Sequence, residues 1–195
     1  MLWQRSLVIR DMETGSLWSH LLGQCMQGPL KDRTFDFIPA TLTTWRDWKK
    51  EHPETTVLHL SRTASRFRRD LLGEKAPVGY GIKIGQTTAV YSYTHLARHP
   101  VYEDRVSDQP VVIVFEPESI RTFAYLRLID DSEHHFEDGL NKGFLVDKET
   151  KTQWDPWTGR AADGPLKGRA LQPVHGLISY INAWEHFYPD GKVIK

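Results

Sequence analysis

The pattern of apolar and polar positions predicts many short β-strands and few helices. Pro110 to Phe115 is a continuous apolar run of strand length, which predicts a buried central strand. Tyr80 to Tyr93 predicts a hairpin around Gly85 and Gln86, and Thr122 to Leu128 alternates in the same way. Thr94 to Arg98 predicts a single helical turn. The pattern is typical of an α+β fold of mainly antiparallel β hairpins with short helices.

The first sixty residues follow a plan of hairpin, hairpin, short helix and closing strand. The turn at residues 11–15 predicts the first hairpin, because Gly15 can take the positive φ that such a turn needs. Met26 and the segment 35–38 flank a second turn at residues 28–32. Thr44-x-x-Asp47 resembles a capping box and predicts a helix that ends before Pro53. Residues 57–60 form the predicted closing strand.

The same plan recurs later in the chain at a constant offset of 136 positions. The correspondence runs without a gap from Leu7/Gly143 to Leu58/Ile194, and thirteen of its positions are identical. The identities are Asp11/Asp147, Glu13/Glu149, Thr14/Thr150, Trp18/Trp154, Gly23/Gly159, Gly28/Gly164, Pro29/Pro165, Leu30/Leu166, Lys31/Lys167, Arg33/Arg169, Trp48/Trp184, Pro53/Pro189 and Val57/Val193. Such self-similarity predicts a fold that is internally pseudo-duplicated.

Composition and charge narrow the possible partners. The 25 basic residues balance the 25 acidic ones, so no overall field favours nucleic acid or an anionic membrane. The single cysteine, Cys25, excludes an internal disulfide and a cysteine-based zinc cage. No apolar run is long enough to predict a membrane span. The opening residues lack the apolar core of a signal peptide, which predicts a cytoplasmic protein as the sequence stands, or an extracytoplasmic one if an upstream segment exists.

The duplicated polar residues are the first candidate ligand-binding site. They are Asp11, Thr14 and Trp18 in one copy and Asp147, Thr150 and Trp154 in the other. Tryptophan faces stack on sugars or bases, while Asp and Thr supply hydrogen bonds. The alternative is structural, since Asp and Thr also cap turns while Trp anchors the core beneath them. Duplication preserves structural residues too, so this alternative stays open.

Two histidine clusters are the candidate catalytic residues. His95 and His99 lie at i, i+4 with Asp104 nearby, a spacing that suits a metal on a helix, although Pro100 cuts the helix short. His134 and His135 form a second cluster with Glu137, but adjacent strand residues point to opposite faces. The two clusters could converge on one metal or acid–base site. Histidines on solvent-facing loops explain the same pattern, and the sequence assigns no metal and no particular cofactor.

Four segments together resemble one bacterial family, the family catalogued as domain of unknown function 3179. They are DMETGSLWSHLLGQCMQGPL, TTWRDWKKEHPETTVL, YGIKIGQTTAVYSYTHLARHPVYEDRV and WDPWTGRAADGPL with INAWEHFYPDGKV. The resemblance implies no particular activity. It implies that a stretch like Tyr80 to Gly143 normally precedes each copy of the motif. Residues 80–195 are then expected to be a complete unit and residues 1–60 the back half of another.

Residues 61–79 are the expected connecting segment between these units, all packed as one globular domain. The segment is basic, with Arg62, Arg66, Arg68 and Arg69, and either binds phosphate groups or is a solvated linker. The leading hypothesis for function is a non-catalytic binding or scaffolding module with an unknown ligand or protein partner. The alternatives are a metal-assisted or acid–base enzyme of hydrolase type, and a truncated fragment without independent function. An incomplete first unit also predicts a homodimer that covers its exposed surface.

Overall fold

The computed structural model of the chain describes residues 2–4, 6–38, 40–57 and 77–195. In chain order the elements are β1 (Leu2–Trp3), β2 (Ser6–Arg10), β3 (Leu17–Ser19), β4 (Gln24–Gln27), α1 (Trp45–Glu51), β5 (Val78–Ile84), β6 (Thr87–Ser92), α2 (Tyr93–Arg98), β7 (Val101–Val106), β8 (Gln109–Glu116), β9 (Arg121–Leu126), β10 (Leu128–Ile129), β11 (Ser132–Glu133), β12 (Phe136–Gly139), β13 (Phe144–Asp147), β14 (Gln153–Trp154), β15 (Ala161–Asp163), β16 (Pro173–Val174), β17 (Gly176–Tyr180), α3 (Ile181–Phe187) and β18 (Lys192–Ile194). A 3₁₀ turn spans Leu140–Lys142.

Two four-stranded sheets share the central core. Their strand orders are β17-β5-β6-β18 and β16-β9-β8-β7, and every described pairing is antiparallel except that of β18 with β6. Alternate residues of each strand point into the shared core, where Tyr80 and Ile82 of β5 meet Val111, Ile113 and Phe115 of β8. We name the two sheets the β5 sheet and the β8 sheet.

The outer face of each central sheet has its own cover. Val112 and Val114 of β8 face a third sheet, β12-β13-β14-β15, in a second core that contains Trp154. The opposite outer face, that of the β5 sheet, packs against α3 and against the turn between β3 and β4, with Leu21 and Trp184 in a third core. The fold therefore places the hairpins of the first and second copies on opposite sides of the two central sheets, whereas α3 of the second copy lies on the same side as the first copy.

The two copies share their local structure residue by residue. Ile9 pairs with Trp18 as Leu145 pairs with Trp154, each at the 136-residue offset. The β-bulge in β3 recurs in β14, and the bounds of α1 and α3 differ by the same offset. The backbone conformation also agrees at the fifth residue of the first turn in each copy, where Gly15 has φ 73° and Lys151 has φ 61°. Lys151 therefore keeps the loop shape and accepts the left-handed backbone.

Most of the predicted elements are confirmed and one hairpin is corrected. The central strand (β8), the hairpin around Gly85, the turn α2 and the helix capped by Thr44 are all present. The second hairpin of the first copy is tighter than predicted, because Gln24 of β4 pairs with Thr34 and the N–H of Cys25 donates to Arg33, while Phe35 bonds to Gly23 just before β4. Residues 58–60 of the predicted closing strand and residues 61–76 of the basic segment lie outside the described residues. None of the described helices has the length and apolar character that crossing a bilayer requires.

Candidate functional site

The candidate site is a cleft of about 260 Å³ where the first copy meets the β5 sheet. The turn between β3 and β4 forms one side of it, with Leu22 and Gly23. The other side comes from β5 with Lys83 and from the helix α3 with Trp184. We call it the junction cleft, because residues from both copies of the motif line it.

Aromatic rings form the walls of the junction cleft. Trp184 is buried, and its ring centroid lies 4.7 Å from that of Tyr188. A Cβ on Gly81 would lie 2.2 Å from the Trp184 ring, so β5 needs glycine here for the indole to lie flat against the sheet. The hydroxyl of Tyr188 donates to the carbonyl of Leu21 at 2.9 Å. This bond ties the turn of the first copy to the second copy.

Three polar groups lie among these rings. The indole nitrogen of Trp184 is buried and has no hydrogen-bond partner among the described residues. His175 stacks on Phe37 with ring centroids 4.2 Å apart, and neither of its ring nitrogens makes a well-formed hydrogen bond within the same part of the chain. Lys83 is exposed, with its ammonium 5.9 Å from the centroid of the Tyr188 ring. Buried donors without partners are costly, so such groups are typical of sites that take a ligand.

The protonation state of His175 follows from its surroundings. Burial lowers the pKa of His175, and a weak backbone contact from Ile38 offsets only part of this effect. The imidazole is therefore neutral at neutral pH, with one nitrogen as donor and the other as acceptor. Lys83 then supplies the positive charge at the cleft.

The duplicated Asp, Thr and Trp residues form the same hydrogen-bond network in each copy. The indole of Trp18 donates to Asp11 at 3.0 Å, and that of Trp154 donates to Asp147 at 2.9 Å. The threonine of each copy donates its backbone N–H and its hydroxyl to the same carboxylate. Each network closes one turn, and the two turns lie on opposite sides of the central sheets. The prediction that these residues bind a ligand stays a prediction, and their carboxylate oxygens already accept hydrogen bonds within the protein.

The two carboxylates differ in their electrostatics. The indole N–H of Trp18 and the backbone N–H of Thr14 lower the pKa of the exposed Asp11. Burial acts to raise the pKa of Asp147, but the hydrogen bonds from Trp154 and Thr150 outweigh it, and the pKa is lowered. Both groups are therefore carboxylates at neutral pH.

The structure keeps His95 and His99 together and separates them from Asp104. Their rings lie 4.7 Å apart at the end of α2. Burial and the neighbouring His99 lower the pKa of His95. Asp104 instead accepts from the hydroxyl of Tyr91 at 3.0 Å and from Lys192 at 2.7 Å. These three residues do not form a metal-binding geometry in the described part of the chain.

His134 and His135 lie on the other side of the β8 sheet from His95 and His99. The Nδ1 atom of His134 is 3.4 Å from the Oδ1 atom of Asp147, within the second core, and that of His135 is 2.9 Å from the Oε1 atom of Glu149. The two histidine clusters do not come together among the described residues, because His95 and His99 belong to α2 and its C-cap, whereas His134 and His135 lie in the link before β12.

His134 is buried and His135 is exposed, yet the two side chains approach the same carboxylate. Both precede β12 in a short non-strand link, so both side chains reach Glu149. Glu137 pairs with Lys151 at 3.6 Å instead.

Sequence reasoning missed the residues of the junction cleft. Lys83 lies within a segment that carries the family resemblance but marks no site in the sequence, and His175 belongs to no quoted segment; both line the cleft because β5 pairs with β17. Trp184 carried a sequence signal, because it is identical to Trp48 at the 136-residue offset. Its place in the cleft depends on how the first copy packs against it. Glu149 also carried a signal, since Glu13 and Glu149 are identical at the 136-residue offset.

The fold and the cleft define the class of protein. It is a mainly antiparallel β chain with short helices and a small, aromatic-walled cleft where two related regions meet. A family model described as "Protein of unknown function (DUF3179)" matches residues 1–77 and again residues 68–195, so the chain belongs to this family. This confirms the resemblance carried by the sequence motifs. Neither the curated proteins nor the solved structures contain a match to the chain.

Proposed function

We propose that the chain is a non-catalytic binding module and that the junction cleft takes a small ligand with an apolar body and an anionic end. The observation that carries this proposal is the set of buried, unpartnered ring nitrogen atoms on the buried Trp184 and the half-buried His175, two residues that line one cleft. Pockets of this kind combine apolar walls with a few convergent polar groups that fix the orientation of the ligand.

The chemistry of the ligand follows from the groups that surround it. Trp184 and Tyr188 offer aromatic surface to a flat or branched apolar body. The indole N–H is a donor only, and the ammonium of Lys83 attracts negative charge, so a carboxylate or similar acceptor matches both. A volume of about 260 Å³ lies just below the usual range for drug-sized ligands, about 300–1,000 Å³, which favours a compact molecule.

The test uses benzoate as the anionic probe and benzyl alcohol as a neutral probe of similar size. Thermal unfolding and isothermal titration calorimetry of the full chain measure the affinity of each probe. Benzoate is expected to bind saturably and to raise the unfolding temperature, because a ligand of the folded state stabilises by RT ln(1 + [L]/Kd). Benzyl alcohol is expected to bind at least about fivefold more weakly, since it lacks the charge–charge interaction with Lys83.

Two variants localise the binding to the cleft. Thr34→Trp places a large ring at the mouth of the cleft from an exposed position and is expected to abolish benzoate binding. Lys83→Gln is expected to remove the preference for the anion, whereas Lys31→Gln, an exposed lysine outside the cleft, is the matched control. Equal benzoate affinity in the wild type and the Thr34→Trp variant would reject the proposal, as would a wild-type chain that binds neither probe.

We infer that the two copies of the motif derive from a duplicated unit, complete at residues 80–195 and represented by its back half at residues 1–60. The common strand registers, the matching bounds of α1 and α3 and the two family matches support this inference. The bond from Tyr188 to Leu21 and the shared third core support packing of both parts as one domain.

We propose further that a second copy of the chain covers the exposed face of the first region. All the exposed large hydrophobic residues in the described part of the chain lie between Leu2 and Val57, and they include Ile9 and Trp48. Among the described residues the exposed large apolar side chains all belong to this region, so the occupant that matches it is the same region of a second copy, in the isologous arrangement of a twofold dimer.

Native mass spectrometry and light scattering at several concentrations test this dimer. The wild type is expected to be a dimer, and Ile9→Lys is expected to weaken it at least tenfold by placing a charge in an apolar interface. Ala162→Lys, at an exposed position of β15 in the sheet on the other side of the central sheets, is the control and is expected to leave the dimer intact. A wild type that stays monomeric at high micromolar concentration would contradict the proposal.

A further inference from the structure

We propose that His134, Asp147 and Glu149 bind a divalent transition-metal ion, with Zn²⁺ as the best fit. The proposal is independent of the junction cleft, because the central sheets separate the two places. Within the described residues, these three side chains are the one group of His, Cys, Asp and Glu that places a ligand atom of each member within 4.8 Å of the others.

The distances around His134 are long for hydrogen bonds and suitable for two ligands of one metal. Its Nδ1 atom lies 3.4 Å from the Oδ1 atom of Asp147 and 3.8 Å from the Oε2 atom of Glu149. A well-formed N–H···O bond is about 2.7–3.2 Å between heavy atoms. Ligand atoms that share a tetrahedral Zn²⁺ at about 2.0–2.2 Å lie roughly 3.3–3.6 Å apart. A shift of Glu149 on the order of 1 Å brings all three atoms into this range.

The ligands are oriented by a further layer of hydrogen bonds, as is usual around metal sites. Trp154 and Thr150 hold the carboxylate of Asp147, and Asp147 itself is buried. The backbone N–H of His135 donates to Glu149 at 2.9 Å. Such outer partners fix the ligand geometry before the metal binds.

Burial differs across the group in a way that leaves a path for the ion. His134 and Asp147 are buried, whereas Glu149 and the neighbouring His135 are exposed. The ion can therefore enter from the Glu149 side, and water can occupy the remaining position of a tetrahedral site. An imidazole with two carboxylates is a ligand set that suits Zn²⁺ and neighbouring first-row ions.

The first copy of the motif supplies an internal comparison. Asp11 and Glu13 stand at the positions of Asp147 and Glu149, but no histidine reaches them in the described residues. The turn itself therefore folds without an imidazole, and His134 is not needed for the turn's hydrogen bonds. The proposed ion gives the position of His134 beside two carboxylates a role beyond the turn.

The experiment measures Zn²⁺ binding to the full chain by equilibrium dialysis with elemental analysis, and its Kd by competition with a chromophoric chelator. The wild type is expected to bind one Zn²⁺ per chain. His134→Gln and Glu149→Gln are each expected to weaken binding at least about tenfold, while Glu13→Gln and His99→Gln leave it unchanged. Substitution with Co²⁺ is expected to give the intense visible bands of a tetrahedral site in the wild type and not in His134→Gln.

Two results would overturn the proposal. One is a wild type that binds no Zn²⁺ at micromolar concentration. The other is the same Zn²⁺ affinity in the wild type and in Glu149→Gln, which would place any bound ion elsewhere. Glu149 is exposed, so this variant is expected to fold, and circular dichroism verifies that it does. The Glu149→Gln variant therefore still decides the question if the His134→Gln variant does not fold.

Discussion

The two copies of the motif have the same local structure but differ in burial at two corresponding apolar positions. Trp184 of the second copy is 1% exposed, whereas Trp48, its counterpart in the first copy, is 38% exposed. Leu145 is fully buried and its counterpart Ile9 is 47% exposed. The strand registers, the bulge, the turn and the bounds of the helices nevertheless agree at the same offset. Local structure is therefore encoded within each copy, whereas burial depends on what each copy packs against.

The surroundings of the two copies explain this difference. The second copy packs its hairpin against the β8 sheet, which precedes it in the chain. The first copy instead contacts the β5 sheet through the turn at Leu21. That contact leaves the Ile9 face open and creates the junction cleft. The candidate function and the proposed dimer thus have one structural origin.

The largest expected effect is on the tryptophan that both copies share, Trp48 in the first and Trp184 in the second. Trp184→Ala removes a fully buried ring from the third core and is expected to lower the free energy of unfolding by about 3–5 kcal/mol. Trp48→Ala is expected to cost less than about 1 kcal/mol, since much of that ring is already in water. Urea denaturation of both variants measures the contrast, and equal losses would contradict the difference in burial.

The next largest contrast in stability is expected between Leu145 of β13 and its counterpart, Ile9 of β2. Leu145→Ala leaves a cavity in the second core and is expected to cost about 2–5 kcal/mol. Ile9→Ala is expected to change the stability of the monomer by less than about 0.5 kcal/mol. The comparison is made at a concentration where the chain is monomeric, because a dimer would add its own contribution. A loss for Ile9→Ala that matches that of Leu145→Ala would mean that the Ile9 face is buried.

Weakening the ion pair between Glu51 and Arg121 is expected to lower the free energy of unfolding by an intermediate amount. None of the residues of α1 is buried, and Glu51 accepts two hydrogen bonds from the buried Arg121 at 2.8 and 2.9 Å. Glu51→Gln weakens this pair and is expected to cost about 1–2 kcal/mol, less in high salt. Chemical denaturation in low and high salt measures it. No loss in either salt would show that α1 is held by other contacts.

The smallest expected effect is a pH dependence at the junction cleft. Burial lowers the pKa of His175 in the folded chain below its value of about 6.5 in the unfolded chain. At a pH between the folded-state and unfolded-state pKa values of His175, the unfolded chain binds a proton that the folded chain does not. The free energy of unfolding therefore falls as the pH drops below about 6.5, by at most about 1.4 kcal/mol per pH unit.

His175→Phe is expected to remove this part of the profile. Unfolding measured from neutral to mildly acidic pH for both proteins gives the difference. Parallel profiles would show that His175 is not held neutral by its surroundings.

The sequence predicted the elements better than the site. The apolar run at residues 110–115 and the Thr44 capping box predicted β8 and α1 correctly, because both signals are local. Lys83 and His175 line the same cleft because β5 pairs with β17, two strands that are far apart in the sequence. No local sequence pattern predicts that pairing. The grouping of His134 with Asp147 and Glu149 was missed for the same reason, since these residues meet through the pairing of β12 with β13.

The most direct test of the central claim is a titration with benzoate followed by the indole N–H signals in a two-dimensional ¹H–¹⁵N NMR spectrum. Trp184 and Trp154 are both buried, but only the indole of Trp154 has a protein acceptor, the carboxylate of Asp147. Binding in the junction cleft predicts a saturable shift of the Trp184 signal with the Trp154 signal unmoved. A Trp184 signal that stays in place while benzoate binds, or that shifts no more than Trp154, would contradict the proposed binding site.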